Sequence, residues 1–221
     1  MSTRIAVAIE ETSKKSFATA IDWPGWSRSG KTVAGALEAL RAYADRYRIV
    51  ARLAGVDFPA DDLELEVYET ATGGTGTEFG VPSRVTDADR RPTTAADAER
   101  LAALVEATWT RLAAIAQDSP EILRKGPRGG GRDRTKMLGH VVEADSAYAR
   151  EIGLASKPPA PDDARAVADL RASMLDVLRT PSDGSPIAGR KWTARYAAHR
   201  IAWHALDHAW EMEDRRDPAP G

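Results

Sequence analysis

Residues 203–210 read WHALDHAW, and this segment decides how the second half of the sequence is interpreted. His204 and His208 are four residues apart, so on a helix both imidazoles lie on one face, about a turn from each other. Two imidazoles at this spacing can bind the same metal ion. Apolar residues continue this face at steps of three and four, which predicts a helix over about 192–214 whose buried stripe includes both histidines.

A third histidine lies in a separate segment with helical periodicity, about 134–153. His140 shares the apolar stripe of that segment with Val141, so it is expected to face the interior. A third imidazole from a facing helix would complete a three-nitrogen site that leaves positions open for water or substrate. The sequence therefore predicts a divalent metal site at His140, His204 and His208.

Two further residues bear on this predicted site. Glu143 follows His140 by three positions and is the candidate general base or ligand-orienting carboxylate; an ordinary solvated helix carboxylate is the alternative. His199 lies about 140° around the helix from His204, so it is expected to be structural or exposed and not a ligand. A single inward histidine is more often a hydrogen-bonded core residue than a ligand, and that alternative stays open for each histidine taken alone.

The composition limits the chemistry that the chain itself can supply. Its 221 residues contain no cysteine, which excludes structural disulfides and zinc–thiolate sites and leaves nitrogen and oxygen as metal ligands. The formal net charge of −2 gives no polybasic signature, so neither nucleic acid nor an anionic membrane is expected as a partner. The first residues contain too few consecutive apolar side chains for a signal peptide or a membrane span, which favours a soluble cytoplasmic protein.

Hydrophobic periodicity divides the chain into two halves and predicts an α+β fold. Residues 1–70 combine short alternating segments with one helical stripe and are expected to form a small α/β domain. Glycine and proline are frequent over 71–94, where we place a linker. Residues 95–216 carry four helical stripes and predict an antiparallel four-helix bundle. The predicted strands cover 4–10, 16–23, 26–28 and 63–70, and the predicted helices cover 33–53, 95–118, 134–153, 162–179 and 192–214.

Two glycine-containing segments raise the question of anion binding. Residues 25–32, GWSRSGKT, match the phosphate-binding pattern G-x-x-x-x-G-K-[ST]. Pro24 and two tryptophans crowd this turn, the preceding strands suggest an antiparallel hairpin, and no later strand offers an aspartate for magnesium, so a nucleotide site is not favoured. The basic loop 125–134 is no phosphate motif, but it could attract an anionic substrate if it overhangs the open end of the bundle.

Residues 95–216 resemble the DinB-like (DinB/YfiT) metal-binding four-helix bundle superfamily. The resemblance is carried by His140 and by residues 200–211, RIAWHALDHAWE. In that superfamily a histidine of the second helix and a His-x-x-x-His pair bind a divalent metal, usually zinc or nickel. The resemblance therefore assigns the ligand role to His140, His204 and His208, whereas it leaves the substrate open.

Residues 4–70 are similar to a HicB-like domain, a second and weaker resemblance. It rests on the predicted hairpin, the turn WPGW at 23–26, the step SGKT at 29–32 and the helix that follows. The resemblance explains Gly-Lys-Thr as the start of that helix. HicB proteins usually carry a DNA-binding segment after this fold; because helices of a metal-binding type follow here, a scaffolding, dimerising or substrate-gating role is expected.

Three functions are compatible with these observations. The DinB-like resemblance, whose characterised relatives include thiol-dependent S-transferases and mycothiol-dependent maleylpyruvate isomerase, implies a metal-dependent thiol S-transferase. Such an enzyme would use a low-molecular-weight thiol such as mycothiol and act on a small-molecule substrate. The second candidate is a non-catalytic HicB-like interaction module fused to a structural or vestigial metal-binding bundle. The third is a metal-dependent hydrolase. A homodimer is compatible with each of them.

Overall fold

A four-stranded sheet forms the N-terminal part of the protein. The computed structural model describes residues 3–59, 63–125, 133–155 and 157–216. The strands have the order β3-β2-β1-β4; β1 runs antiparallel to β2 and parallel to β4, and β2 runs antiparallel to β3. The strands are β1 (Thr3–Glu11), β2 (Ser16–Ala20), β3 (Ser27–Gly30) and β4 (Leu63–Thr72).

Helices follow the sheet, and the protein is therefore a mixed α+β protein, as its sequence predicts. Within the described ranges there are seven α-helices and two short 3-10 helices, at Ala88–Arg90 and Ile187–Gly189. The α-helices are α1 (Val33–Ala42), α2 (Ala44–Leu53), α3 (Thr75–Phe79), α4 (Ala95–Gln117), α5 (Arg134–Glu151), α6 (Ala164–Leu178) and α7 (Ala194–Arg215). In the part of the chain that the structure describes, no helix is both long enough and apolar enough to cross a bilayer.

The single helix predicted over 33–53 is in fact two helices that meet at Tyr43. Tyr43 has φ −96° and ψ 3°, and its backbone N–H bonds to the carbonyls of Leu40 and Arg41 instead of the residue four positions back. The break places the Tyr43 ring 5.0 Å from the ring of Trp210 in α7. Periodicity could not show this break because the apolar stripe continues across it.

The segment expected to be a linker, 71–94, packs against the sheet. It contains the end of β4, α3 and a 3-10 helix. The buried carboxylate of Glu10 in β1 accepts hydrogen bonds from the hydroxyl of Thr77, from Ser83 N at 2.9 Å and from Arg84 N at 3.1 Å. Glycine and proline therefore mark tight turns here, and those turns are fixed by hydrogen bonds to the first strand.

Two large hydrophobic clusters form most of the core of the described residues, beside a small third one at Ala8, Ile21 and Ala88. The larger one lies among α4, α5, α6 and α7 and includes the buried residues Leu112, Met137, Met174 and Ile201. The other lies between the sheet, α1 and α2, and Trp26 stacks on Tyr47 at its centre with ring centroids 5.5 Å apart.

The N-terminal cluster extends into the helices of the second half. Leu206 and Trp210 of α7 are buried in the same cluster as Trp26. The turn before β3 reaches α7 at Gly25, whose φ is +89°; a Cβ there would lie 2.8 Å from Leu206 Cδ1 and 3.0 Å from Ala202 Cβ. Glycine is required because the turn is left-handed and the helix lies against it. The sheet and α7 therefore share one apolar interface.

Candidate metal centre

Helix α7 carries two of the three predicted ligands, and its first turn is anchored by Thr193. The Thr193 hydroxyl accepts a hydrogen bond from Tyr196 N at 3.3 Å and donates one to the carbonyl of Asp89 at 2.7 Å. This cap satisfies one of the free N–H groups at the start of the helix. Because Asp89 belongs to a 3-10 helix, the same hydroxyl fixes α7 relative to the segment before α4.

Helix α5 carries the third predicted ligand and is tied to α6 by an ion pair. Nε and Nη2 of Arg171 each lie 2.9 Å from Oδ2 of Asp145, whose side chain is almost fully buried. Burial raises the pKa of the Asp145 carboxyl to about 6, although the neighbouring Arg171 guanidinium acts in the opposite direction. The pair holds the middle of α5, and His140 lies just over one turn before it.

The structure brings His140, His204 and His208 together. One ring nitrogen from each of the three lies within 4.8 Å of the other two. The ring centroids are 5.1 Å apart for His140 and His204, 5.0 Å for His140 and His208, and 4.7 Å for His204 and His208. His204 is buried and the other two are half-buried, so the cluster has a protected side and an accessible side.

The donor set fits a divalent transition metal. Nε2 of His204 lies 3.3 Å from Nε2 of His140. Two nitrogens bound to one tetrahedral zinc ion at about 2.0–2.1 Å would be about 3.3–3.4 Å apart, so this pair already has the separation of two ligands. The third ring can turn towards an ion at small cost because the χ2 torsion of histidine is broad. A hydrogen bond between two neutral imidazoles is the other arrangement with a similar separation.

A carboxylate contacts the far nitrogen of one predicted ligand. Oε2 of Glu211 lies 3.3 Å from Nδ1 of His208, and Oε1 of Glu211 pairs with Arg215 at 2.6 Å. A carboxylate in this position fixes the ring and leaves Nε2 as the nitrogen available to an ion, an arrangement common around metal-bound histidines. Sequence analysis missed this role of Glu211, although its spacing of three residues after His208 is the signal that could have indicated it.

Glu143, the predicted general base, lies on the exposed side of α5. Its carboxylate makes no hydrogen bond or ion pair with another described residue in this structure. The role assigned to Glu143 therefore stays a prediction.

His199 lies outside the cluster, as its position on the helix predicts. The side chain is buried, and its Nε2 donates a hydrogen bond to the carbonyl of Ile21 at 2.9 Å. His199 therefore joins α7 to the end of β2, a structural role.

Aromatic rings and a guanidinium surround His204, the buried one of the three predicted ligands. The ring of Tyr148 in α5 lies 5.6 Å from that of His204, and Trp203 lies 6.2 Å from it. The guanidinium of Arg200 lies over both aromatic rings, 5.3 Å from Tyr148 and 4.8 Å from Trp203. Burial raises the pKa of the Tyr148 hydroxyl, and the nearby charge of Arg200 opposes that shift. The wall beside the cluster is thus aromatic and positively charged.

The N-terminal half also reaches the neighbourhood of the ligands. Arg28 in β3 pairs with Asp207 at 3.2 Å, and its guanidinium lies 4.0 Å from the centroid of the Tyr43 ring. Asp207 precedes His208, so the sheet helps to fix the middle of α7. This contact could not be foreseen from the sequence because its two residues are 179 positions apart.

The phosphate-loop pattern at 25–32 does not form a phosphate-binding loop. Four of its eight residues, Ser27–Gly30, form strand β3, which pairs antiparallel with β2. Its last residue, Thr32, caps α1 by accepting a hydrogen bond from Gly35 N at 3.1 Å. A phosphate-binding loop needs a segment with free backbone N–H groups between strand and helix. Here that segment is itself a strand of the sheet. Of the basic loop 125–134, residues 126–132 lie outside the described residues.

Comparisons with known proteins give no match for this chain. No protein-family model, no curated protein and no solved structure matches this chain. The DinB-like and HicB-like resemblances therefore stay predictions made from the sequence, and so do the functions that they imply.

Proposed function

We propose that the protein binds one divalent transition-metal ion through His140, His204 and His208 and uses it for reactions of the thiol S-transferase type. The observation that carries the proposal is the convergence of three imidazoles from two helices, with one pair of nitrogens 3.3 Å apart. Three histidines are the ligand set of open catalytic zinc sites, which keep a further position for water or substrate.

We further infer that α4, α5, α6 and α7 form an antiparallel four-helix bundle around this site. The four helices share one buried cluster, and the loops between them allow each to reverse direction. Ligands in such bundles project inward from facing helices, which is where His140 of α5 meets the pair from α7.

The proposed chemistry depends on what the chain can and cannot supply. When bound, a divalent zinc or nickel ion lowers the pKa of a thiol or water at its open position and so makes it a better nucleophile at neutral pH. The chain has no cysteine, so a thiol nucleophile must come from a low-molecular-weight cofactor such as mycothiol. The chain's own contribution is to orient His208 through Glu211 and to exclude water on the side of Tyr148 and Trp203.

A hydrolase and a non-catalytic bundle are the competing functions. The half-buried edge of the cluster would admit water as readily as a thiol, which keeps hydrolysis as the second candidate. The Arg28–Asp207 ion pair favours the non-catalytic bundle as the third candidate, because it connects the sheet to the helix that carries His204 and His208 and so gives the N-terminal half a structural role.

Metal analysis of the full chain tests the site. We expect about one zinc or nickel ion per chain in protein purified without chelators, and loss of that ion in His208→Ala. His199→Gln is the matched control because His199 belongs to the same helix but contacts Ile21 instead of the cluster. A wild-type protein without stoichiometric metal, or equal metal content in the wild type and His208→Ala, would show the proposal to be wrong.

Activity assays then separate the three functions. Consumption of an electrophile that requires both the metal and an added thiol supports transfer. Cleavage of an ester or amide without thiol supports hydrolysis. A stoichiometric metal with neither activity, together with a fall in melting temperature on chelation, supports the non-catalytic bundle.

A further inference from the structure

A cavity lies between the sheet and the first half of α7; it borders the histidine cluster, since Arg200 and Trp203 lie beside both. Its volume is about 40 Å³, and the void reaches about 520 Å³ only when the solvent-filled space at its open side is included. The apolar part of its wall includes Ile9, Ile21 and Trp203, and the polar part includes Tyr196, His199 and Arg200. The proposed metal ligands of α7 are not among the described residues that line it.

Two polar atoms in this wall have no hydrogen-bond partner among the described residues. They are Nδ1 of His199 and Nη1 of Arg200, and both atoms are buried. His199 is only 9% exposed, and its Nε2 donates to the carbonyl of Ile21. In the neutral ring Nδ1 is therefore an acceptor that lacks a donor. Arg200 carries only donors, so its Nη1 lacks an acceptor.

A buried polar atom without a partner costs free energy, because the atom has lost its hydrogen bonds to water and gained none in the protein. Two such atoms of opposite kind on consecutive residues of one helix therefore indicate a molecule that can supply both an acceptor and a donor. An ordered water could do so, but the cavity has room for more than one water and much of its wall is apolar.

The other charged groups of the wall already have hydrogen-bond partners. Glu10 accepts from Ser83 N at 2.9 Å and from Arg84 N at 3.1 Å, and Asp89 accepts from Thr86 N and the Thr86 hydroxyl, both at 2.9 Å. Nε of Arg84 donates to the carbonyl of Thr72 at 2.7 Å. These carboxylates are therefore satisfied from the side of the protein. The Arg200 guanidinium lies over the faces of two aromatic rings, and no ion pair links it to a carboxylate in the described part of the chain. Nη1 of Arg200 is therefore the buried donor of this wall that still lacks an acceptor.

We propose that this cavity is a binding site for a small organic acid that carries a hydroxyl group next to its carboxylate. Nη1 of Arg200 donates to the carboxylate, Nδ1 of His199 accepts from the hydroxyl, and Ile9, Ile21 and Trp203 pack against the apolar remainder. Charge-assisted hydrogen bonds to arginine give such a site its affinity, and the requirement for a donor at His199 gives it selectivity.

Calorimetric titration of the full chain with mandelate tests the proposal. Mandelate combines an apolar ring, a hydroxyl and a carboxylate; phenylacetate lacks the hydroxyl, and 1-phenylethanol lacks the carboxylate. We expect mandelate to bind, and each analogue to bind at least about tenfold more weakly because one buried atom stays without a partner. Since this series uses the wild-type protein, it does not depend on the folding of a variant.

Variants locate the site. Arg200→Gln is expected to weaken mandelate binding at least about tenfold, whereas Arg165→Gln, on the exposed surface of α6, leaves it unchanged. Hydroxy acids also bind metal ions, so His208→Ala is the control for the histidine cluster. Binding that persists in His208→Ala supports the cavity, even if that protein binds no metal at all.

Any of four results would overturn this inference. One is the absence of mandelate binding at millimolar concentrations. Another is equal binding of mandelate and both analogues. The third is binding that disappears in His208→Ala but survives in Arg200→Gln, which would place the acid at the metal. A crystal structure with ordered waters on both buried atoms and no bound acid after soaking would identify the cavity as a hydration site.

Discussion

At the scale of single residues, Glu211 is the side chain whose contact changes the picture of the metal centre most. It lies 3.3 Å from Nδ1 of His208, whereas the sequence prediction named Glu143 as the acidic partner. A carboxylate on the far nitrogen of a ligand orients the ring and increases its basicity, and loss of such a partner typically lowers metal affinity 10–100-fold, in order of magnitude.

We therefore expect Glu211→Gln to bind zinc about 10–100-fold more weakly than the wild type, as measured by competition with a chromogenic chelator. Glu143→Gln is the matched control on α5, because the exposed Glu143 does not contact the cluster, and its metal affinity should equal that of the wild type. If Glu143→Gln keeps its metal but loses turnover, Glu143 is the proton-transfer group. Equal affinities for Glu211→Gln and the wild type would remove Glu211 from the site.

Asp145 gives a prediction about pH. Its folded-state pKa is about 6, above the ordinary value of 3.8, so the folded protein holds a proton on this carboxyl more tightly than the unfolded chain does. The resulting stability is fully present below about pH 4 and is lost as the pH rises through about 6. The free energy of unfolding of the wild type, relative to Asp145→Asn, should therefore fall by about 3 kcal/mol over this range.

Urea denaturation of both proteins at several pH values between about 3.5 and 7 measures this difference. Asp133→Asn is a suitable control, since the Asp133 carboxylate is partly exposed and, among the described residues, its ion pair is with Lys136 at 3.3 Å. A difference between the wild type and Asp145→Asn that stays constant, or that grows with pH, would contradict the raised pKa.

At the scale of elements, α7 depends on its cap. Thr193 is fully buried and its hydroxyl makes two hydrogen bonds, one within the first turn and one to Asp89. Thr193→Ala should lower the free energy of unfolding by about 2 kcal/mol, because an N-cap is lost and the carbonyl of Asp89 loses its donor.

Thr193→Ser keeps both hydrogen bonds and should recover most of that loss, apart from one methyl group. Chemical denaturation of the three proteins decides the point, and equal stability of the alanine and serine variants would show that the hydroxyl does not stabilise α7. Metal content measured on the same samples shows whether fraying of the first turn reaches His204.

The elements also show where sequence reasoning succeeds and where it stops. Period-two alternation and apolar stripes predicted the long strand at 63–70 and α4 to α7 within a few residues, because each of these elements buries one face. The same reasoning missed the break at Tyr43 and the ordered turns of 71–94, because both depend on partners distant in sequence. His204 and His208 could be paired from their spacing alone, whereas His199 needed Ile21 to define its role.

At the scale of the whole molecule, the sheet and α7 act as one body. Arg46 in α2 pairs with Asp214 at 2.5 Å, and Arg111 in α4 pairs with Glu213 at 2.5 Å, so ion pairs border the apolar contact around Leu206. The Arg46–Asp214 pair is partly exposed, and such pairs contribute little individually to stability; the Arg111–Glu213 pair is mostly buried. Burial of Trp26 and Trp210 in one cluster contributes more to the free energy of unfolding than these ion pairs do. Because the cluster includes residues of both halves, we expect the two halves to unfold together.

Gly25→Ala tests this contact between the halves. The substitution should lower the free energy of unfolding by at least about 2 kcal/mol, because a left-handed φ is strained for alanine and its Cβ would meet Leu206. Gly55→Ala is the matched control: Gly55 also has a left-handed φ, +67°, but a Cβ there meets nothing within 4 Å.

Denaturation is followed by both tryptophan fluorescence and circular dichroism. The loss of unfolding free energy in Gly25→Ala beyond that in Gly55→Ala measures the contribution of the contact with α7. If the two substitutions lower the free energy of unfolding equally, the close approach of Gly25 to α7 does not stabilise the protein. If Gly25→Ala separates the two spectroscopic transitions, the halves are independent folding units, contrary to our expectation.

Helix α7 also limits how the sequence can change in length. Each residue of a helix turns the next by about 100°, so one residue inserted or deleted between Thr193 and His204 would rotate the ligands away from α5. The same change would move Leu206 out of the apolar contact with Gly25. Natural relatives that keep this protein's function should therefore vary in length in the connections, such as 180–190, and keep a constant number of residues from 193 to 211.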